Sequence, residues 1–265
     1  FAMQVFMLCQ RYEQHRRAVE LAWGDQGIVV VQDRPIYGDT VFATTAMERG
    51  FMTPEEYELY VAMYRNMSRD VIPPDLFVFL GDNIYGDTKN MRRLQRKYAR
   101  LDAKAEFRAL RACCELQAVW DDHDYGTNNS NRNAAGRPAA MSAFRECAPH
   151  HALALSGPLE PIARAFSIGR VRYVLTDCRS ARSPLDAASP TMLGEAQKAW
   201  LLGELSAASR AHALVVWMSP VPWIAGGSDT WGGYPEERRE IANHIASEGI
   251  RNLCMVSGDA HMLAI

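Results

Sequence analysis

The sequence predicts an α/β fold in which a layered sheet is flanked by helices. Short apolar, β-prone runs alternate with longer stretches of helical period, the pattern of strand–helix–strand packing. Three of those runs end in acidic, His or Tyr residues: Leu80-Gly81-Asp82-Asn83-Ile84-Tyr85, Trp120-Asp121-Asp122-His123-Asp124-Tyr125, and Ser257-Gly258-Asp259-Ala260-His261. Ligands of an open α/β sheet bind beyond the carboxyl ends of its strands. Three such ends together would gather carboxylate and imidazole groups, the donor types that hold metal ions.

Bulk properties narrow the class. The 265 residues suffice for a sizeable core, and 48% hydrophobic with 23% charged residues is ordinary for a globular chain. With 29 Lys+Arg against 31 Asp+Glu the net charge is −2, which argues against nucleic acid as a structural partner. No apolar run reaches membrane-span length. The six Cys form no C-x-x-C pair and read as buried or free thiols rather than disulfide staples.

In chain order, Phe1 to Trp23 reads as a helix with Val5, Leu8, Cys9 and Tyr12 on its apolar face. Gly24 to Gly27 is a loop, and Ile28-Val29-Val30-Val31 is expected to be a buried strand ending at Gln32-Asp33-Arg34-Pro35. Thr53-Pro54-Glu55-Glu56 signals a helix start with a capping box, running to about Asp70, where Pro73-Pro74 stop it. Asp75 to Leu80 is the next strand, and the basic stretch Met91 to Ala112 a helix with an apolar stripe at Leu94, Tyr98, Leu101 and Ala105. Ala118 to Trp120 is a strand, followed by a polar loop carrying Asn128, Asn129, Asn131 and Asn133. Phe166 to Leu175 reads as a hairpin about Gly169, Leu193 to Leu205 as a helix, and Ala213 to Met218 as a strand. A Gly-rich loop, a helix over Pro235 to Ser247 and a strand over Leu253 to Val256 close the pattern.

Two resemblances follow from these motifs. Phe1-Ala2-Met3-Gln4, Gln10 to His15, Gln32-Asp33-Arg34, Ile36-Tyr37 and Gly50 through Leu76 resemble the middle of a deoxynucleoside kinase. That likeness implies an N-terminal helix–strand–helix segment, with Gln4 matching a base-contacting residue and Asp33-Arg34 a pair near the sugar and phosphate. It also departs from the family: Pro35 stands where Ser or Thr is usual, and no G-x-x-x-x-G-K-S/T phosphate loop occurs. A kinase fragment and an inactive fusion are therefore the alternatives, not the main reading.

From about residue 73 the chain resembles the PhoD-like branch of the metallophosphoesterases. The likeness rests on Gly81 to Tyr85, Trp120 to Asp124, Leu175 to Arg179, Gly194-Glu195-x-Gln197 with Trp200-Leu201, Trp231 to Arg238, and Ser257 to His261, in the family's order. The expected division is 1–72 kinase-like and 73–265 phosphatase-like. The resemblance implies a metallophosphoesterase-like sheet, incomplete at both ends, that hydrolyses phosphate monoesters or diesters by a metal-activated water. Iron and calcium are the implied ions, and a small-molecule phosphate ester the implied partner. It further implies Asp82, Tyr85, Asp122, Asp259 and His261 as metal ligands and His123 as proton donor to the leaving group. Asp124 is expected to orient His123, Asn128 and Arg179 to contact phosphate oxygens, and Trp231, Glu237 and Arg238 to brace the site. Asp33 is the candidate for the ligand that an earlier strand supplies in the family.

Overall fold

A computed structural model describes residues 1–24, 27–33 and 35–259. The chain divides into two units, Phe1–Pro74 and Asp75–Ile265.

The first unit is helical. Helix α1 spans Ala2–Ala22, and a 3-10 turn at Ile36–Gly38 leads into α2 (Asp39–Glu48) and α3 (Pro54–Ser68). The capping box forms as its residues require: Thr53 Oγ1 accepts from the Glu56 amide at 3.2 Å, and Glu56 Oε2 accepts from the Thr53 amide at 2.9 Å. Leu8, Ile36, Ala43, Met52 and Tyr60 make the small core. Asp39 is buried within it, paired with Arg11 and accepting from the Tyr60 hydroxyl at 2.5 Å. The strand expected at Ile28–Val31 does not form. The segment belongs to no strand, and Ile28, Val29 and Val31 are exposed. A β segment needs a ladder partner for its amides and carbonyls, and no other strand occurs among the described residues of this unit, so the backbone turns to water.

The second unit holds six strands among its described residues. β1 (Leu76–Leu80) pairs in parallel with β2 (Glu115–Val119), Leu76 opposite Glu115 and Leu80 opposite Val119. The crossover between them carries α4 (Met91–Asp102) and α5 (Ala105–Cys113), so the basic stretch is two helices broken at Ala103-Lys104. A short α6 (Asp122–Tyr125) follows β2, then α7 (Arg137–Cys147), which has Pro138 in its first turn. The second sheet has the order β3-β4-β5-β6. β3 (Arg164–Ile168) and β4 (Val171–Leu175) form an antiparallel hairpin turned by Gly169 at φ +56°. β4, β5 (Leu214–Ser219) and β6 (Leu253–Ser257) are parallel, joined through α8 (Gly194–Ala211) and α9 (Pro235–Ser247).

Strand alternation explains the two cores. On β5, Val216 and Met218 face a core shared with Ala118, Val119, Trp120 and the α4/α7 residues Leu94, Tyr98, Met141 and Phe144. Val215 and Trp217 face the opposite core, with Leu201 and Leu205 of α8 and Ile241 of α9. The sheet, buried on both faces, therefore presents its polar groups at strand ends. Arg164 ties the two sheets across the first core. It is fully buried, its Nε donating to Gln117 Oε1 of β2 at 2.9 Å, and burial lowers its pKa to about 9. All six cysteines are free thiols. No described helix is long and apolar enough to cross a membrane.

Candidate metal centre

The motifs follow their strands for a steric reason. At the ends of β1, β2 and β6 the chains approach so closely that only glycine fits. A Cβ on Gly81 would lie 2.8 Å from Asp121 Cβ, and one on Gly258 would lie 2.5 Å from the Leu80 carbonyl oxygen and 3.0 Å from that of Pro220. Each glycine is followed by an aspartate in left-handed backbone, Asp82 at φ +51° and Asp259 at φ +55°. Tyr85 and Asp87 share that conformation, at +46° and +45°. Such φ values are unfavourable for residues with a Cβ and cluster where a loop is held for function.

The loop after β1 is held by Asp124. One of its oxygens accepts from the Asn83 amide at 2.8 Å and side chain at 3.0 Å, and the other from the Ile84 amide at 2.7 Å. Burial nonetheless pushes the Asp124 carboxyl up to about 6, against the pull of those amides. Asp124 thus anchors a backbone rather than His123, because its oxygens point across to the neighbouring loop. The ring of His123 goes instead to Asp87: Nδ1 donates to Asp87 Oδ1 at 2.7 Å. Tyr85 stacks on that ring, centroids 4.8 Å apart and planes at 24°.

Asp82, Asp122 and His123 each bring one ligating atom to within 4.8 Å of the others. Asp122 is oriented by two amides, its own neighbour His123 at 2.8 Å and Asn129 at 2.6 Å, with Asn129 in left-handed backbone at φ +58°. The Tyr85 hydroxyl is pushed up to about 12, first by its hydrogen bond to Asp82, then by partial burial and the charges of Asp82, Asp259 and Asp122. The charge of Asp259 is felt at Asp121 as well as at Tyr85, which places the end of β6 beside the same cluster. His261, the remaining sequence-predicted ligand, lies outside the described residues. The donor set suits a hard cation, and Asp82 Oδ1 is buried without a hydrogen-bond partner, an arrangement that costs free energy unless something positive sits against it. The residues present therefore fit a metal ion.

Beneath this cluster lies a layer of buried charge. Arg179 is fully buried: its Nε pairs with Asp121, and its Nη1 and Nη2 donate to Asp229 at 2.7 and 3.0 Å. It reaches only 3.9 Å from Asp122 Oδ2. Arg179, expected to contact phosphate oxygens, instead spends its donors on the carboxylates beneath the cluster. Arg182 adds a second guanidinium to Asp229 at 2.5 Å. At Asp229 burial favours the neutral form, but the hydrogen bonds and charge of Arg179 and Arg182 outweigh it and hold the carboxyl below 3.8. Asn128 stands exposed in the loop whose Asn129 amide caps Asp122, open to a ligand.

The other motifs are scaffold. Asp177 is buried and accepts from Trp120 Nε1 at 2.8 Å and from the amides of Ile162, Arg179 and Ser180 at 2.9–3.0 Å. Gln197 fixes its backbone, accepting from the Asp177 amide at 2.7 Å and donating to its carbonyl at 2.8 Å. Glu237 accepts from Thr191 Oγ1 at 3.0 Å and from the Met192 amide, and Arg238 donates to the Trp223 carbonyl at 3.0 Å. Asp87, Asp121 and Asp229 were not singled out by sequence. Asp121 lies inside a motif and Asp87 two residues past one, but nothing local marks the partners they find 58 and 36 positions away.

Comparison with known proteins places the arrangement. The alkaline phosphatase D of Bacillus subtilis (strain 168) is 26% identical over 269 aligned positions, taking in 81% of this chain and 46% of that protein. A solved structure described as that of PhoD shares the fold, with a TM-score of 0.62 over 75% of this chain and 48% of that one at 23% identity. The deoxyadenosine kinase of Dictyostelium discoideum is 34% identical over 80 residues, 30% of this chain and 31% of the kinase. The chain thus spans less than half the length of either curated relative. The PhoD-like phosphatase family model matches residues 49–265, beginning inside the first unit, and the chain belongs to that family.

Proposed function

We propose that the chain hydrolyses phosphate monoesters or diesters, with a small-molecule ester as substrate and water as nucleophile. The observation that carries this is the convergence of Asp82 and Asp122 with His123 beside them, one carboxylate oxygen of each and a ring nitrogen lying within 4.8 Å of one another at the strand ends. Asp82, Tyr85, Asp122 and Asp259 would hold the metal, for which carboxylate and phenol oxygens favour iron and calcium. When bound, the ions would lower the pKa of a water and offset the charge of the phosphoryl oxygens.

The chain's own residues do the rest. With Nδ1 engaged by Asp87, His123 keeps Nε2 for the ester, where it donates a proton to the departing oxygen. Asn128 offers an amide to a non-bridging oxygen. Arg179 keeps the carboxylate layer beneath the site neutralised, so that the acidic surface of Asp82, Asp122 and Asp259 tolerates an anion. Transfer of phosphate from a nucleotide has no support from the first unit, which lacks the glycine-rich loop such chemistry needs.

The test uses p-nitrophenyl phosphate and bis(p-nitrophenyl) phosphate, with and without a chelator. At least one ester is expected to be cleaved, activity falling with chelation and dropping about 10²–10⁴-fold in His123→Ala, the range for a lost general acid. No cleavage of either ester, or cleavage indifferent to both chelator and substitution, overturns the reading.

A further inference from the structure

We propose that Cys113 and Cys114 form a two-sulfur binding site for a thiophilic centre, of which a trivalent organoarsenical is the type. The pair precedes β2, whereas Asp121 and Asp122 follow it, so the length of that strand separates the site from the acidic cluster. The inference stands without the phosphoesterase reading.

The two cysteines sit where α5 gives way to β2. Cys113 is the last residue of the helix, and Cys114, at φ −151° and ψ 163°, already runs extended. Successive side chains of a strand point to opposite faces, and those of a helix diverge as well. At this junction they converge. Both Sγ atoms reach one acceptor, the Leu110 carbonyl oxygen, from 3.2 Å at Cys113 and 3.3 Å at Cys114. The same oxygen takes the Cys114 amide at 3.2 Å. A carbonyl has two lone pairs and thiols are weak donors, so the amide bond dominates and the sulfurs are gathered without being committed. Burial, and after it the neighbouring Cys113 thiol, pushes the Cys114 thiol up to about 12. Cys113 is exposed and Cys114 half-buried, so a solute can reach the pair from water.

The surroundings select the ligand. Glu115 follows directly, but its carboxylate is taken by His151 at 3.0 Å and by the Gln117 side chain at 2.9 Å. Among the described residues, no third His, Cys, Asp or Glu gathers with the two sulfurs within 4.8 Å. Structural zinc needs four ligands, and hard cations need oxygens. Two convergent sulfurs alone suit a soft centre that is satisfied by two. An organoarsenical R–As=O meets that condition, because arsenic brings its own third substituent. In the step, both S–H bonds and the As=O bond break and two S–As bonds form. The oxide leaves as water with the two thiol protons, and arsenic stays trivalent, so no oxidant or reductant is consumed.

The test treats the native chain with phenylarsine oxide, counts the bound arsenical by intact mass, and then strips it with 2-mercaptoethanol, a monothiol. The comparison chains are Cys113→Ser, Cys114→Ser and Cys254→Ser, the last removing the other exposed cysteine. The native chain and Cys254→Ser should each hold one phenylarsenic group. Its half-release should need about 10²–10⁴-fold more monothiol than in either of the other variants, the gain when a second bond forms within one molecule. A second reading needs no substitution: the arsenical should shield Cys113 and Cys114 of the native chain from iodoacetamide, as mapped by peptide mass. A native chain that holds no arsenical, an equally resistant adduct in Cys113→Ser or Cys114→Ser, or shielding of a different pair overturns the proposal.

Discussion

Asp177→Ala should cost the second unit more stability than any substitution at its surface. The carboxylate is fully buried and takes four fixed N–H donors: the Trp120 indole and the amides of Ile162, Arg179 and Ser180. The Ser180 hydroxyl, at 2.5 Å, can rotate to another acceptor, and Gln197 holds the Asp177 backbone in place, so the four N–H groups bear the loss. An orphaned buried donor costs about 1–3 kcal/mol, so four at the low end give about 4 kcal/mol, against a total of about 5–15 kcal/mol for a typical domain. Asp177→Asn keeps an acceptor for Trp120, Arg179 and Ser180 but turns an amide group toward Ile162 N–H, and should cost about half as much. Urea unfolding followed by tryptophan fluorescence reads this, because five of the six Trp (120, 200, 217, 223 and 231) lie in the second unit. A loss below about 1 kcal/mol for Asp177→Ala would refute the reasoning, since it would mean the donors find other partners.

Asp229 sets an acid limit. Its folded-state carboxyl lies below the ordinary 3.8, so its contribution is present above that value and fades as pH falls through the folded one. Asp229→Asn should therefore be less stable than the native chain at neutral pH and converge with it in acid. Parallel unfolding curves at every pH would contradict this. Gly258→Ala should disrupt the meeting of β1, β5 and β6, because its methyl would fall 2.5 Å from the Leu80 carbonyl oxygen, and soluble yield with near-ultraviolet circular dichroism would report the loss. A native spectrum for that variant would show that the strand ends separate at little cost.

Much of the second unit was legible because its signals are local. The Gly-Asp pairs after β1 and β6 mark crowded strand ends, and the unbroken apolar run along β5 marks a doubly buried strand. What escaped was long-range. The Nδ1 partner of His123 follows β1, 36 positions before the ring, and the neighbour Asp124, which sequence suggested, turns to other amides. Arg179 looked available for phosphate because nothing local announces Asp229, 50 positions on. The strand expected at Ile28–Val31 failed for a related reason, since β propensity is realised only where a neighbouring strand exists. α7 went unassigned, its start marked only by Gly136-Arg137-Pro138. In the basic stretch, Ala103-Lys104 ends a helix without glycine or proline.

The central claim is that the acidic strand ends form a cation site, and metal content tests it most directly. The native chain, expressed with iron and calcium supplied and passed through gel filtration, should retain metal by elemental analysis, and Asp82→Asn should lose most of it while remaining folded. A native chain that emerges metal-free, or an Asp82→Asn chain that holds as much metal as the native one, would contradict the account.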